Sequence, residues 1–220
     1  MRLKKIKGAL ERIELSKYYV NNPEQYKDNW NKVFENENPI RLEIGMGKGH
    51  FIIGMAKKFP DVNFIGIEMY DSVMVKATDA LEKEEEYIPN LKLILMDARN
   101  IENVFGKEID RIYLNFSDPW PKARHTKRRL TSKAFLDKYD LVFKEQKSIF
   151  MKTDNDDLFE FSIESLKEHG YTLSDVTRDL HSLNEEDNVM TEYERKFSEK
   201  GVKINRLKAN LKWRGCFNET

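Results

Sequence analysis

Three clusters in the chain combine residue types that can do chemistry. Residues 42–50 read LEIGMGKGH, with glycines at 45, 47 and 49 just after Glu43. Glycine lets the backbone approach a ligand closely, and a helix that follows such a turn offers free N–H groups. The spacing G-x-G-x-G departs from the G-x-G-x-x-G of dinucleotide sites, because His50 stands where the third glycine would be. A carboxylate ahead of the turn disfavours an anionic ligand and favours a cationic or amine-bearing one. Glu68, 21 residues beyond Gly47 in FIGIEMY, and Asp97 in MDARN end the next two apolar runs. In doubly wound folds an acid at the first of these places accepts ribose hydroxyls of an adenosine, and one at the second can meet the adenine amine. A tight turn and surface carboxylates are the plainer alternative.

The third cluster is LNFSDPWPKARHTKRR, residues 114–129. Pro119 and Pro121 stiffen a loop that carries Asp118 and Trp120, a carboxylate and an indole suited to a flat polar ring. Lys122, Arg124, Lys127, Arg128, Arg129 and Lys133 follow, six cations with no acid between 121 and 133. Such a run is commonly a solvated face. Here it abuts the loop at the mouth of the predicted cleft, which points to phosphate contacts.

These residues need a scaffold, and the hydrophobic pattern supplies one. Short β-rich runs at 40–45, 62–68, 91–98, 110–118 and 147–154 alternate with helical periods at 49–60, 70–87, 99–105, 131–145 and 157–170. Strand and helix in alternation predict a parallel sheet covered on both faces, with the acids and the glycine turn at the strand tips. A run at 171–180, a polar loop and a closing run at 202–213 predict an antiparallel pair at one edge. Residues 1–38, polar and aromatic and ending in NENP, read as a basic arm or helical extension; 39–213 are the domain, and 214–220 a tail. The EKEEE run at 82–86 reads as a solvated helix end.

Lys and Arg number 38, as do Asp and Glu, so global basicity gives no argument for a nucleic-acid partner and only local clustering can. A single cysteine, Cys216, excludes an intrachain disulfide and a cysteine-based zinc site and suits a reducing compartment. No apolar stretch is long enough for a membrane span, and Glu11 and Glu14 interrupt what a signal peptide would need, so the expected location is cytoplasmic. The four histidines show no metal spacing, and no metal is expected.

The GMGKGH turn, the SDPWPKARHTKRR run, KTDN at 152–155 and TEYE at 191–194 together resemble bacterial tRNA (guanine-N7-)-methyltransferase. The resemblance covers nearly everything from residue 40 onward. It implies a Rossmann-like class I S-adenosylmethionine-dependent fold: a mostly parallel seven-stranded sheet with an antiparallel last strand. It implies methylation of guanine 46 in the tRNA variable loop by a monomer or homodimer, with S-adenosylhomocysteine as product. Carried over position by position, Glu43, Gly45, Gly47, Gly49, Glu68, Asp97 and Asp118 would line the cofactor site, Asp118 also being catalytic. Lys122, Asp154, Thr191, Glu192, Tyr193 and Glu194 would face the substrate, with Asp154 also a candidate helix cap. Arg124, His125, Thr126, Lys127, Arg128 and Arg129 would touch RNA, helped by Arg2, Lys4, Lys5, Lys7 and cations between 200 and 208. Guanine N7 has a lone pair and no proton, so Asp118 would orient the ring and offset developing charge, with no base role. An adenine-N6 methyltransferase and a nicotinamide-dependent oxidoreductase are the rival readings; the missing adjacent proline and the missing third glycine count against them.

Overall fold

The computed structural model describes residues 5–183, 185 and 188–212. Seven strands form one sheet: β1 (Ile40–Ile44), β2 (Asn63–Glu68), β3 (Leu91–Leu95), β4 (Ile109–Asn115), β5 (Gln146–Thr153), β6 (Thr172–Thr177) and β7 (Asn205–Lys212). Their spatial order is β3-β2-β1-β4-β5-β7-β6, and β7 runs antiparallel to both its neighbours while the other pairs are parallel. The expected antiparallel edge is therefore present, with the last strand inserted between β5 and β6.

The helices are α1 (Ala9–Glu14), α2 (Trp30–Phe34), α3 (His50–Lys58), α4 (Asp71–Leu81), α5 (Ile101–Val104), α6 (Lys133–Val142), α7 (Asp156–Glu168) and α8 (Glu192–Ser198). On one face α1, α3 and α4 bury Ile13, Ile52 and Met74 against Phe64 and Leu93; on the other α2, α5, α6 and α7 bury Trp30, Tyr139 and Phe159 against Ile112 and Leu114. Burial on both faces explains why the central strands read as continuous apolar runs without alternation. The strand order reverses between β1 and β4, which opens a crevice at their carboxyl ends.

The N-terminal segment read as an arm is packed into the domain over its described part. Tyr18 and Tyr19 lie along the outer edge of β3, where Leu93 N–H donates to the Tyr18 carbonyl at 2.8 Å and Val20 N–H to the Leu93 carbonyl at 3.0 Å. This covers an edge that would otherwise present unpaired backbone groups. Trp30 is fully buried and its indole N–H donates to the Val104 carbonyl at 3.0 Å. Arg2, Lys4, Cys216 and the 214–220 tail lie outside the described residues. The EKEEE run lies beyond the last residue of α4, Leu81, as an exposed turn.

Candidate active site

The crevice at the β1/β4 switch point is a cleft of about 290 Å³ lined by Glu43, the glycine turn, His50, Phe51, Asn115, Phe116 and Thr191 to Tyr193. Glu43 sits at its floor, only 1% exposed. Its Oε1 accepts from Asn115 Nδ2 at 2.8 Å, a bond across the switch point, while Oε2 is buried with no hydrogen-bond partner among the described residues. Burial raises the Glu43 carboxyl from 4.5 to about 8, against the opposing pull of Asn115 and the Lys152 charge. Gly45 and Gly47 adopt φ of 77° and 59°, and a Cβ at either would meet nothing within 4 Å. The turn thus presents bare backbone to open space, in a conformation that disfavours side chains.

Glu68 takes three backbone N–H groups: Gly47 at 3.1 Å, Met69 at 2.9 Å and Tyr70 at 3.1 Å. It therefore braces the glycine turn from the end of β2. Burial pushes its carboxyl up, only partly offset by those N–H groups, and the nearby charge of Asp118 adds to the rise. Asp118 itself is exposed on the loop after β4 and has no hydrogen bond or ion pair with the described residues. Asp97 caps a turn of 3-10 helix at Ala98–Asn100 and holds Arg99 at 2.6 Å, and that hydrogen bond keeps its carboxyl below the ordinary range. Asp97 does not line the cleft described above.

The TEYE segment closes the other side. Glu192 pairs with Lys48 of the glycine turn at 2.7 Å and with Lys196 at 2.6 Å, which pull its carboxyl down to about 2. Tyr193 packs between Phe116 at 4.9 Å and Phe197 at 4.0 Å, and its hydroxyl donates to Asp154 at 3.2 Å. Burial and the Asp154 charge raise the Tyr193 phenol to about 12.

Several expectations are corrected here. Glu194, expected to face the substrate, is fully buried. It forms a capping box with Thr191 at the start of α8 and accepts from Lys152 at 2.9 Å and Asn188 at 2.8 Å. The spacing T-x-x-E carried that signal in the sequence. Asp154 is not the cap of α7; Asn155 is, accepting from Leu158 N–H at 2.8 Å, which leaves Asp154 free to meet Tyr193. Arg129, expected on the RNA face, is buried beneath the Pro119–Trp120 carbonyls. The cations Lys203, Arg206 and Lys208 are paired with Asp179, Glu185 and Asp175, so they form no free basic surface.

Lys122, Arg124, Lys127 and Arg128 are exposed, as are Lys5 and Lys7, while His125 and Thr126 are partly covered. Arg128 lies 4.9 Å over the Trp120 ring and His125 packs 5.8 Å from it, while Thr126 Oγ1 donates to the Ala123 carbonyl at 3.0 Å. Three functional positions escaped the motif reading: Asn115 as the holder of Glu43, Lys48 as the partner of Glu192, and Lys152 as the anchor of the segment before α8. The last left a trace, since a lysine amid the apolar run SIFMKTD calls for a buried partner.

Residues 37–207 match the family model Methyltransf_4, described as "Putative methyltransferase". The chain belongs to this methyltransferase family. It is similar to a curated tRNA (guanine-N(7)-)-methyltransferase of Bacillus cytotoxicus, 49% identical over 96% of this chain and 98% of that one. Among solved structures it resembles an antibiotic-related methyltransferase (TM-score 0.66, 16% identity, 88% of this chain and 96% of that one). It also resembles the 16S rRNA methyltransferase KamB (TM-score 0.63, 14% identity, 84% and 93%). At such identities these two bear on the fold alone, and they agree with the Rossmann-like class I arrangement of this family member. Family membership sets the nicotinamide reading aside. Among the described residues no helix is long and apolar enough to cross a membrane.

Proposed function

We propose that the protein transfers a methyl group from S-adenosylmethionine to N7 of a guanine in tRNA, at position 46 of the variable loop. The observation that carries the reading is the meeting of two motifs in one cleft: Glu43 with its unpartnered oxygen on the floor, and Thr191 to Tyr193 on the wall. The near full-length relative named for guanine-N7 transfer to tRNA favours this base and atom over the adenine-N6 alternative.

The residues fit the cofactor. The unpartnered Glu43 oxygen suits an ammonium group, and bare backbone at Gly45 and Gly47 gives room for close approach. Glu68 and Asp97 are the acids for the ribose and adenine portions, and Gly49 opens α3. When bound, S-adenosylmethionine supplies a methyl group made electrophilic by its sulfonium. The chain supplies position. Asp118, exposed and without a partner among the described residues, accepts from the donor edge of the guanine and offsets the positive charge that grows on the purine. Asp154, Thr191, Glu192 and Tyr193 border the base, and Lys122, Arg124, His125, Thr126, Lys127 and Arg128 hold the phosphates. No residue needs to remove a proton from N7.

The test is transfer of labelled methyl from S-adenosylmethionine to unmodified tRNA transcripts carrying guanine or adenine at position 46, followed by borohydride and aniline cleavage. Label on the guanine transcript alone, with scission at that position, is expected. Label on neither, despite measurable cofactor binding, overturns the substrate assignment.

A further inference from the structure

We propose that Arg129 is a positioning residue that fixes the Asp118–Pro121 loop from beneath and makes no contact with RNA; this rests on the functional reading above. Four neighbouring cations, Lys122, Arg124, Lys127 and Arg128, are exposed, whereas Arg129 is 8% exposed. Its Nε donates to the Pro119 carbonyl at 2.9 Å and its Nη2 to the Trp120 carbonyl at 3.3 Å. The guanidinium lies 4.5 Å over the ring of Phe161, on helix α7.

The loop has need of such a clamp. Trp120 has φ of 42°, a left-handed conformation that strains a bulky residue and persists only where surrounding contacts enforce it. Pro119 and Pro121 bring no N–H to the loop, so carbonyls on it must find donors elsewhere. A planar fork of N–H groups reaches two successive carbonyls at once, which a lysine ammonium at the end of a flexible stem does not match. Arg129 is itself held, since its N–H donates to the Thr126 carbonyl at 3.0 Å and its carbonyl accepts from Ser132 N–H at 2.9 Å. Asp118 precedes Pro119 directly, so fixing these two carbonyls sets where its carboxylate and the Trp120 indole stand relative to the cleft.

A phosphate contact and a clamp part company in three measurements on Arg129→Lys, Arg129→Ala and, as a phosphate-contact control, Lys127→Ala. The first is tRNA affinity over a range of salt: loss of one phosphate contact lowers the log–log slope by about 0.7–0.9. Lys127→Ala is expected to show that change and both Arg129 variants are not. The second is initial-rate kinetics, where Arg129→Lys is expected to lose ten- to hundredfold in kcat with KM for tRNA within about twofold of wild type. The third needs no substrate: the indole resonance of Trp120 is expected to shift and broaden in Arg129→Lys, whose retained binding of S-adenosylhomocysteine reports an intact domain. An unshifted Trp120 signal, an unchanged kcat, or a salt slope reduced as in Lys127→Ala overturns the proposal. Wild-type protein that methylates no tRNA would defeat the functional reading instead, and the Trp120 signal would still decide the clamp.

Discussion

Glu43→Gln isolates the consequence of burying a carboxylate at the floor of the cleft. With its carboxyl raised from 4.5 to about 8, the folded protein holds this proton more tightly than the unfolded chain does. The associated stability is fully present below pH 4.5 and is lost as pH rises through about 8. Each pKa step corresponds to about 1.4 kcal/mol, so the swing from acid to alkaline pH approaches about 5 kcal/mol. Glutamine keeps the acceptor for Asn115 and removes the titration, at the cost of placing an amide N–H₂ where Oε2 has no partner. A protonated Glu43 has a similar unpartnered donor, so variant and wild type should be nearly equal near pH 5. By pH 9 the ligand-free variant should be more stable by several kcal/mol, read as the difference between urea-unfolding free energies over pH 5–9. The same change should weaken S-adenosylhomocysteine by tenfold or more and abolish the proton release that calorimetry in buffers of different ionisation enthalpy should detect for wild type at pH 7. A difference curve that stays flat from pH 5 to 9, or equal ligand affinity in the variant, refutes the assignment of Glu43 as a desolvated carboxyl waiting for a cation.

Asp118→Ala should lower kcat by about a hundredfold while leaving a pH–rate profile parallel to wild type; a basic-limb pKa that vanishes in the variant would give Asp118 a proton-transfer role instead. Glu192→Gln breaks the Lys48 pair across the cleft and the Lys196 pair within α8. Such partly exposed pairs are worth at most about 1 kcal/mol, so S-adenosylhomocysteine should leave up to about fivefold faster in stopped-flow at low salt, and the difference should disappear at high salt. Trp30→Ala should cost about 3–5 kcal/mol in urea unfolding, from the lost core volume and the stranded Val104 carbonyl; a loss under 1 kcal/mol would mean the N-terminal segment is not integral to the fold.

The fates of particular residues separate what the chain states from what the fold adds. Strand and helix alternation was readable because burial on both faces makes apolar runs continuous, and the strands at Ile40–Ile44 and Asn63–Glu68 lie within a residue or two of their expected spans. The parallel sheet, the antiparallel edge and the cleft residues Glu43, Gly45 and Gly47 follow from such local patterns, while the count of seven strands is what the family resemblance implies. Residues 9–34 did not announce their burial, because Ile13, Tyr18, Trp30 and Phe34 are spaced too irregularly for a period, and only contact with β3, α4 and α5 gives them an inside.

Charged residues were the least readable. Glu194 and Glu192 differ by two positions in one motif, yet one is sealed against Lys152 and the other spans the mouth of the cleft. Arg128 and Arg129 are neighbours, yet one stands over Trp120 in solvent and the other is enclosed under the loop. A sequence by itself determines which side chains can carry charge and how they recur along the chain, and so it specified the sheet, the glycine turn and the basic run. Whether a charge is spent inside the protein or left for a ligand depends on desolvation and on partners brought from distant segments, such as Lys152 on β5 or the carbonyls of Pro119 and Trp120. Those partners meet only in three dimensions, and the tertiary structure alone decided them.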